Sequence, residues 1–217
     1  MFLGHYAVGL AAKRFSPGAS LGTLLFAALW GDLLWSALLL AGVERVRIVP
    51  GFTGVSPFVF EYYPWSHSLA AALFWAGCFV LVCRAFRGSA RAAFVLGALV
   101  LSHWFLDAAV HRPDLPIGFA GQARAGLGVW DSSPATLVLE GALFVIGAWF
   151  YFGSTRPMDS IGRYAAMTFA GLLVIIYAGQ FAGVSPPDVD VAAKTGLAQA
   201  FLILFGFWVD RRRHPKV

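Results

Sequence analysis

The sequence predicts an all-α membrane protein: a polytopic bundle of about six transmembrane helices plus a short N-terminal half-membrane helix. Three observations carry that prediction. Of 217 residues, 59% are hydrophobic and only 12% charged, against roughly 25% charged in an ordinary soluble domain. A water-soluble fold of this length has too much surface to hide so many apolar side chains, whereas lipid accepts them on the outside of a bundle. Apolar runs of spanning length also recur along the chain, each closed by Pro or Gly breakers.

The runs fall at about Leu21–Ala41, Ser66–Phe86, Arg91–His111, Ala135–Gly153, Ile161–Gly183 and Thr195–Val209, the last short enough to need tilt or local thinning. Between them stand Ser16-Pro17-Gly18, Pro50-Gly51, Gly88, Pro113 with Pro116, Pro157 and Pro186-Pro187. Phe2–Phe15 is apolar but too short to cross. We read it as a half-membrane helix paired with Leu21–Ala41, the alternative being an interfacial helix lying flat. No small-residue cleavage site follows it, so a removable signal peptide is not expected. Cys78 and Cys83 point to different helix faces and predict packing, not a disulfide. Residues 1–217 read as one integral domain, with the polar motifs in 1–140 and none in 141–217.

Net charge is +5, but the basic residues are dispersed between apolar runs. Membrane topology explains them better than a nucleic-acid surface. Alternate loops divide them eleven to five: Lys13, Arg14, Arg84, Arg87, Arg91, Arg156, Arg163, Arg211, Arg212, Arg213 and Lys216 against Arg45, Arg47, Arg112, Arg124 and Lys194. The richer side, with both terminal basic segments, is expected in the cytoplasm and the protein in a plasma membrane. The basic residues after Val209 read as a solvated topogenic tail. The loops Gly42–Trp65 and His111–Pro134 then face outward, and loops that long in a compact bundle cover or do something.

Ionisable groups inside spans are costly and ask for a reason. Asp32 lies in the first run, His67 opens the second, His103 and Asp107 lie in the third, Glu140 in the fourth, and His5 in the N-terminal helix. Counting ~1.5 Å per residue from the basic markers, His67 lies ~25 Å from Arg84, Asp107 ~24 Å and His103 ~18 Å from Arg91, and Glu140 ~24 Å from Arg156. Asp32 comes ~16 Å above Leu21, and His5 reaches the midplane. Five of the six groups thus share the outer half of the membrane, on four spans. Singly, each has a plain packing explanation; jointly they predict a shared polar or metal site. His103 and Asp107, four residues apart, share a helix face that His111 continues. Such a pair offers nitrogen and oxygen to a divalent transition metal, or an aspartate that fixes a histidine tautomer.

The order of short motifs resembles the bacterial inner-membrane metal-dependent hydrolases described as LexA-binding and membrane-associated. Gly4-His5 matches near the start. Gly31-Asp32-Leu33-Leu34 stands where the family has Pro-Asp-x-Asp-His, Trp65-Ser66-His67-Ser68 where it has a Thr-His-Ser ending, and Ser102-His103 to Asp107 where it has Ser-His-x-x-x-Asp. Tyr63 to Ser68 and His111 to Pro116 match a subset of such membrane proteins more closely. The likeness covers roughly the first 140 residues. Leu34 and Trp35 replace a second aspartate and its histidine, and Tyr62 replaces another histidine, so the resemblance implies one metal ion and not two.

Three function classes follow. The first is a membrane-embedded hydrolase with one divalent ion, expected to be zinc, held among His5, Asp32, His67, His103 and Asp107. Glu140 and His111 are its candidate catalytic acid–base groups. Arg112, Arg124 and Tyr62 are placed to meet a lipid-linked or amphiphilic substrate arriving from the outer leaflet. The second is a proton- or cation-coupled transporter using the same groups, and the third a non-catalytic membrane assembly protein whose polar cluster locks helices together.

Overall fold

The computed structural model describes residues 1–120 and 123–216. Helix α1 (Leu3–Phe15) is followed by a broken pair, α2 (Leu21–Ala28) and α3 (Trp30–Leu40), bent by 58° at Leu29. A hairpin of β1 (Arg45–Ile48) and β2 (Phe58–Tyr62) leads to the one-turn α4 (Pro64–His67), α5 (Leu69–Ala85) and α6 (Ala90–Val110). Short strands β3 (Leu115–Pro116) and β4 (Arg124–Ala125) pair before α7 (Ser133–Ser154). Strand β5 (Thr155–Pro157) precedes α8 (Ser160–Gln180), α9 (Val189–Leu197) and α10 (Gln199–Asp210), and β6 (Arg213–Pro215) returns to pair with β5.

Four helices are long and apolar enough to cross a membrane, or five if the bent α2–α3 pair counts as one span. The expected second run departs most. Ser68 takes an extended backbone that separates α4 from α5, leaving α5 with 17 residues, ~25 Å against a hydrocarbon core of ~30 Å. The last run is longer than expected: α9 and α10 together run from Val189 to Asp210 over 22 residues. The Asp188 carboxylate accepts from Val191 N at 2.8 Å and starts the helix straight after the two prolines. Ser20, Ser68, Ser89, Ser132 and Asp159 start α2, α5, α6, α7 and α8 in the same way.

Helix α1 is buried within the bundle. Leu3, His5, Tyr6, Ala7 and Leu10 are all buried, packed between α7, α2 and α6. Gly147 permits the closest approach: a Cβ there would lie 2.4 Å from the Ala7 carbonyl oxygen. At its far end the Lys13 ammonium is buried, donating to Ala19 O and to Asp210, both at 2.8 Å. The basic tail is likewise not simply solvated. Arg213 is buried, donating to Thr155 Oγ1 at 3.0 Å and Gly162 O at 3.1 Å, and so ties the chain end to the α7–α8 turn. Cys78 and Cys83 are free thiols.

Candidate metal and hydrolytic site

The broken helices place the polar side chains. The α2–α3 break puts Asp32 in the first turn of α3 and brings the Ala28 carbonyl to His103, whose Nδ1 donates to it at 2.8 Å. Gly31 is required there, because a Cβ would lie 2.6 Å from His103 Cδ2 and 2.7 Å from Nε2. The α4–α5 break turns His67 inward. Glu44 accepts from Trp65 N at 2.8 Å, Ser66 N at 3.0 Å and Ser66 Oγ at 2.5 Å. Because a carboxylate only accepts, the Ser66 hydroxyl proton goes to Glu44, and Ser66 Oγ accepts from His67 Nδ1 at 2.8 Å.

Both imidazoles therefore carry a proton on Nδ1 and turn Nε2 inward. The two Nε2 atoms are 3.4 Å apart. Asp107 Oδ2 lies 3.1 Å from His103 Nε2 and 3.5 Å from His67 Nε2. Asp32 Oδ1 is 3.7 Å from each. Five of the six separations among these four atoms are thus between 3.1 and 3.7 Å. Four atoms ~2.1 Å from a common centre in tetrahedral array lie ~3.4 Å apart, close to these five. Asp107 Oδ2 is buried with no hydrogen-bond partner, which is costly for a carboxylate oxygen that no cation meets.

His5 approaches from behind. Its ring stacks on His103 with centroids 3.7 Å apart, and its Nε2 is 3.1 Å from Asp107 Oδ1, which also accepts from the Met1 amino nitrogen at 2.7 Å. The five residues expected to hold a metal are therefore brought together, as two groups that share His103: Asp32, His67 and His103, and His5, His103 and Asp107.

A cavity of about 670 Å³ opens beside this cluster, lined by Asp32, His67, Asp107 and His111 at its polar end. His111 Nδ1 is 3.1 Å from Asp114 Oδ1, which also accepts from Tyr63 Oη at 3.2 Å. The His111 ring packs between Phe60 and Trp130, at 4.7 and 4.6 Å. Burial pushes the His111 pKa below its ordinary value, with the Asp114 contact opposing that shift. Burial, with Asp114 adding to it, pushes the Tyr63 phenol up.

No family model matches the chain, and neither a curated protein nor a solved structure does so. The site must accordingly be read from its own chemistry.

Four expected residues lie away from the cavity. Glu140 Oε2 accepts from the Phe2 and Gly4 amides at 2.9 and 3.4 Å, so this carboxylate holds the first turn of α1 and does not line the cavity. Arg112 donates to Asp131 at 2.8 Å and lies 4.4 Å over the Phe52 ring. Arg124 donates to the Asp114 carbonyl at 2.9 Å. Tyr62 ends β2 with the Arg45 guanidinium 5.4 Å from its ring centroid. The outer loops are braced by these groups, and the cavity is lined by others.

Sequence reasoning passed over Glu44, Ser66 and Asp114 as working groups. Asp114 was legible three residues after His111, within the His-Arg-Pro-Asp stretch. Glu44 carried no signal: β1–β2 pairing sets Arg45 opposite Tyr62 and only so brings Glu44 to Ser66. The motif-free end also contributes, since Ile176, Gln180, Thr195 and Gln199 line the cavity.

Proposed function

We propose that the protein is a membrane-embedded, metal-dependent hydrolase acting on a lipid-linked or amphiphilic substrate. The observation that carries this reading is the inward set of four donors. His67 and His103 have their Nδ1 protons committed to Ser66 and Ala28, so two Nε2 atoms and two carboxylate oxygens converge, a set that offers four electron pairs when both rings are neutral. That donor set suits zinc, whose ligating histidines characteristically give their other N–H to a carbonyl or a carboxylate-linked partner.

His67, His103 and Asp107 would hold the ion, with Asp32, at 3.7 Å from both imidazoles and on the cavity side, as the fourth ligand or the acceptor for a water. A divalent ion bound there supplies a Lewis acid and brings a water's pKa toward neutrality. His5 keeps Asp107 in place from its other oxygen. Of the two candidate acid–base groups, His111 and not Glu140 takes the role: it lines the cavity, its Nδ1 faces Asp114, and its Nε2 is left to accept a proton from water and return it to a leaving group. The order of motifs supports kinship with the inner-membrane hydrolases, and the basic end of the bundle faces the cytoplasm in this reading.

Elemental analysis of the detergent-purified chain tests it. Wild type should carry about one zinc per chain, and His103→Ala should carry none while keeping its helix content. Metal-free wild type that takes up no added zinc overturns the proposal.

A further inference from the structure

The cavity also constrains the charge of what it receives. Among the described residues lining it there is no lysine and no arginine. Met1 does line it, and its amino group is already paired with Asp107 at 2.7 Å. The arginines of the outer loops are engaged elsewhere: Arg47 with Glu61, Arg45 over Tyr62, Arg112 with Asp131 and Phe52. Asp32, Asp107 and Glu140 together balance one dication and the Met1 ammonium, so the loaded site is near electroneutral. Its walls are Trp35, Phe58, Phe60 and Trp130, with hydroxyl and amide groups from Ser36 and Gln180. The opposite end is apolar. Ile176, Val184, Phe201 and Leu202 line it, and Val184 and Phe201 are 84% and 74% exposed, so the cavity opens at an apolar surface beside α8 and α10.

We propose that the group delivered to Asp32, His67 and Asp107 is uncharged: the carboxylic ester or amide of a membrane lipid, and not a phosphoester. This rests on the reading of the site as hydrolytic. A phosphoester brings negative charge into an aromatic-walled cavity that has no guanidinium in its lining and whose one ammonium, that of Met1, is already held by Asp107, and an unpaired buried charge is strongly disfavoured. Sites that work on phosphoryl groups ordinarily supply such cations or a second metal. An acyl carbonyl needs neither. Its chain lies between α8 and α10 while its head reaches the polar end. Water oxygen adds to the carbonyl carbon and the C–O or C–N bond breaks. A water proton passes through His111 to the departing oxygen or nitrogen, giving an acid and an alcohol or amine with no other reactant.

The test is native mass spectrometry of the full, zinc-loaded chain titrated with two probes of equal chain length, 1-O-oleylglycerol and oleyl phosphate. The neutral probe should bind at least about tenfold more tightly. Gly179→Trp should weaken it by about tenfold, because Gly179 lines the cavity and an added Cβ there has nothing within 4 Å; unchanged thermal unfolding in detergent checks that the fold accepts the ring. Gln180→Arg should raise the affinity for oleyl phosphate. In parallel, long-chain esters or anilides should be cleaved and alkyl phosphates not. Equal or tighter binding of oleyl phosphate by wild type, or phosphate release at a comparable rate, overturns the inference. Repeating the titration on His103→Ala separates the two readings. A neutral preference kept by wild type that binds no zinc sinks the metal centre alone, and zinc binding without that preference sinks only the substrate class.

Discussion

Gly31→Ala is the substitution for which the structure gives the sharpest expectation. The added methyl would lie 2.6 Å from His103 Cδ2, about 0.8 Å inside the 3.4 Å at which ordinary contact begins. The ring cannot simply rotate away, because Nδ1 is held by Ala28 O at 2.8 Å and one face is covered by His5 at 3.7 Å. Relief therefore moves the imidazole bodily, and Nε2 leaves the point it shares with His67, Asp107 and Asp32. Metal–nitrogen distances tolerate only about ±0.2 Å, so a shift of this size should lower zinc affinity by at least about tenfold, or ~1.4 kcal/mol. Overpacking should add a loss of ~1–3 kcal/mol in stability. Competition with a chromophoric chelator measures the first and thermal unfolding in detergent the second. Gly171→Ala, in mid-helix with nothing within 4 Å of its added methyl, is the control and should match wild type or gain slightly. Gly31→Ala with wild-type zinc affinity and stability would refute the assigned position of His103.

Ser66→Ala removes the acceptor for His67 Nδ1 and one of three donors to buried Glu44; zinc affinity should fall by about 10–100-fold, read by the same chelator competition. Glu140→Ala should cost ~1–3 kcal/mol by leaving the α1 amides of Phe2 and Gly4 without their acceptor, yet keep the bound zinc, so loss of zinc at normal stability would restore Glu140 to the site. The pH dependence of unfolding should carry His111: its folded pKa is depressed below 6.5, so the unfolded chain binds the proton first. Its contribution is complete above about pH 6.5 and is lost as pH falls below it. Wild type should therefore lose more stability than His111→Gln between pH 7 and 5, and parallel curves would count against a buried neutral imidazole.

Composition and spacing were sufficient to establish a helical, apolar bundle, because lipid-covered helices need no more than length and hydrophobicity. They also placed His67, His103, Asp107 and Asp32 at a common depth, since a rise of ~1.5 Å per residue converts sequence into height. What they could not give was direction around each helix axis or the location of breaks. Leu29 looks like any residue of an apolar run, and Ser68 stands inside a run counted as continuous, yet the chain bends at both, and those bends turn Asp32 inward, free the Ala28 carbonyl and shorten α5.

Tertiary pairing decided the remainder. Glu44 reaches Ser66 only because two strands meet outside the bundle, and Arg112 is drawn to Asp131 and away from the cavity by loop closure. Glu140 shares the depth of the cluster but turns its oxygen to the start of α1. Height along a helix is a local property of the chain; azimuth and partner belong to the packed structure, where each polar group takes the nearest donor or acceptor that satisfies it.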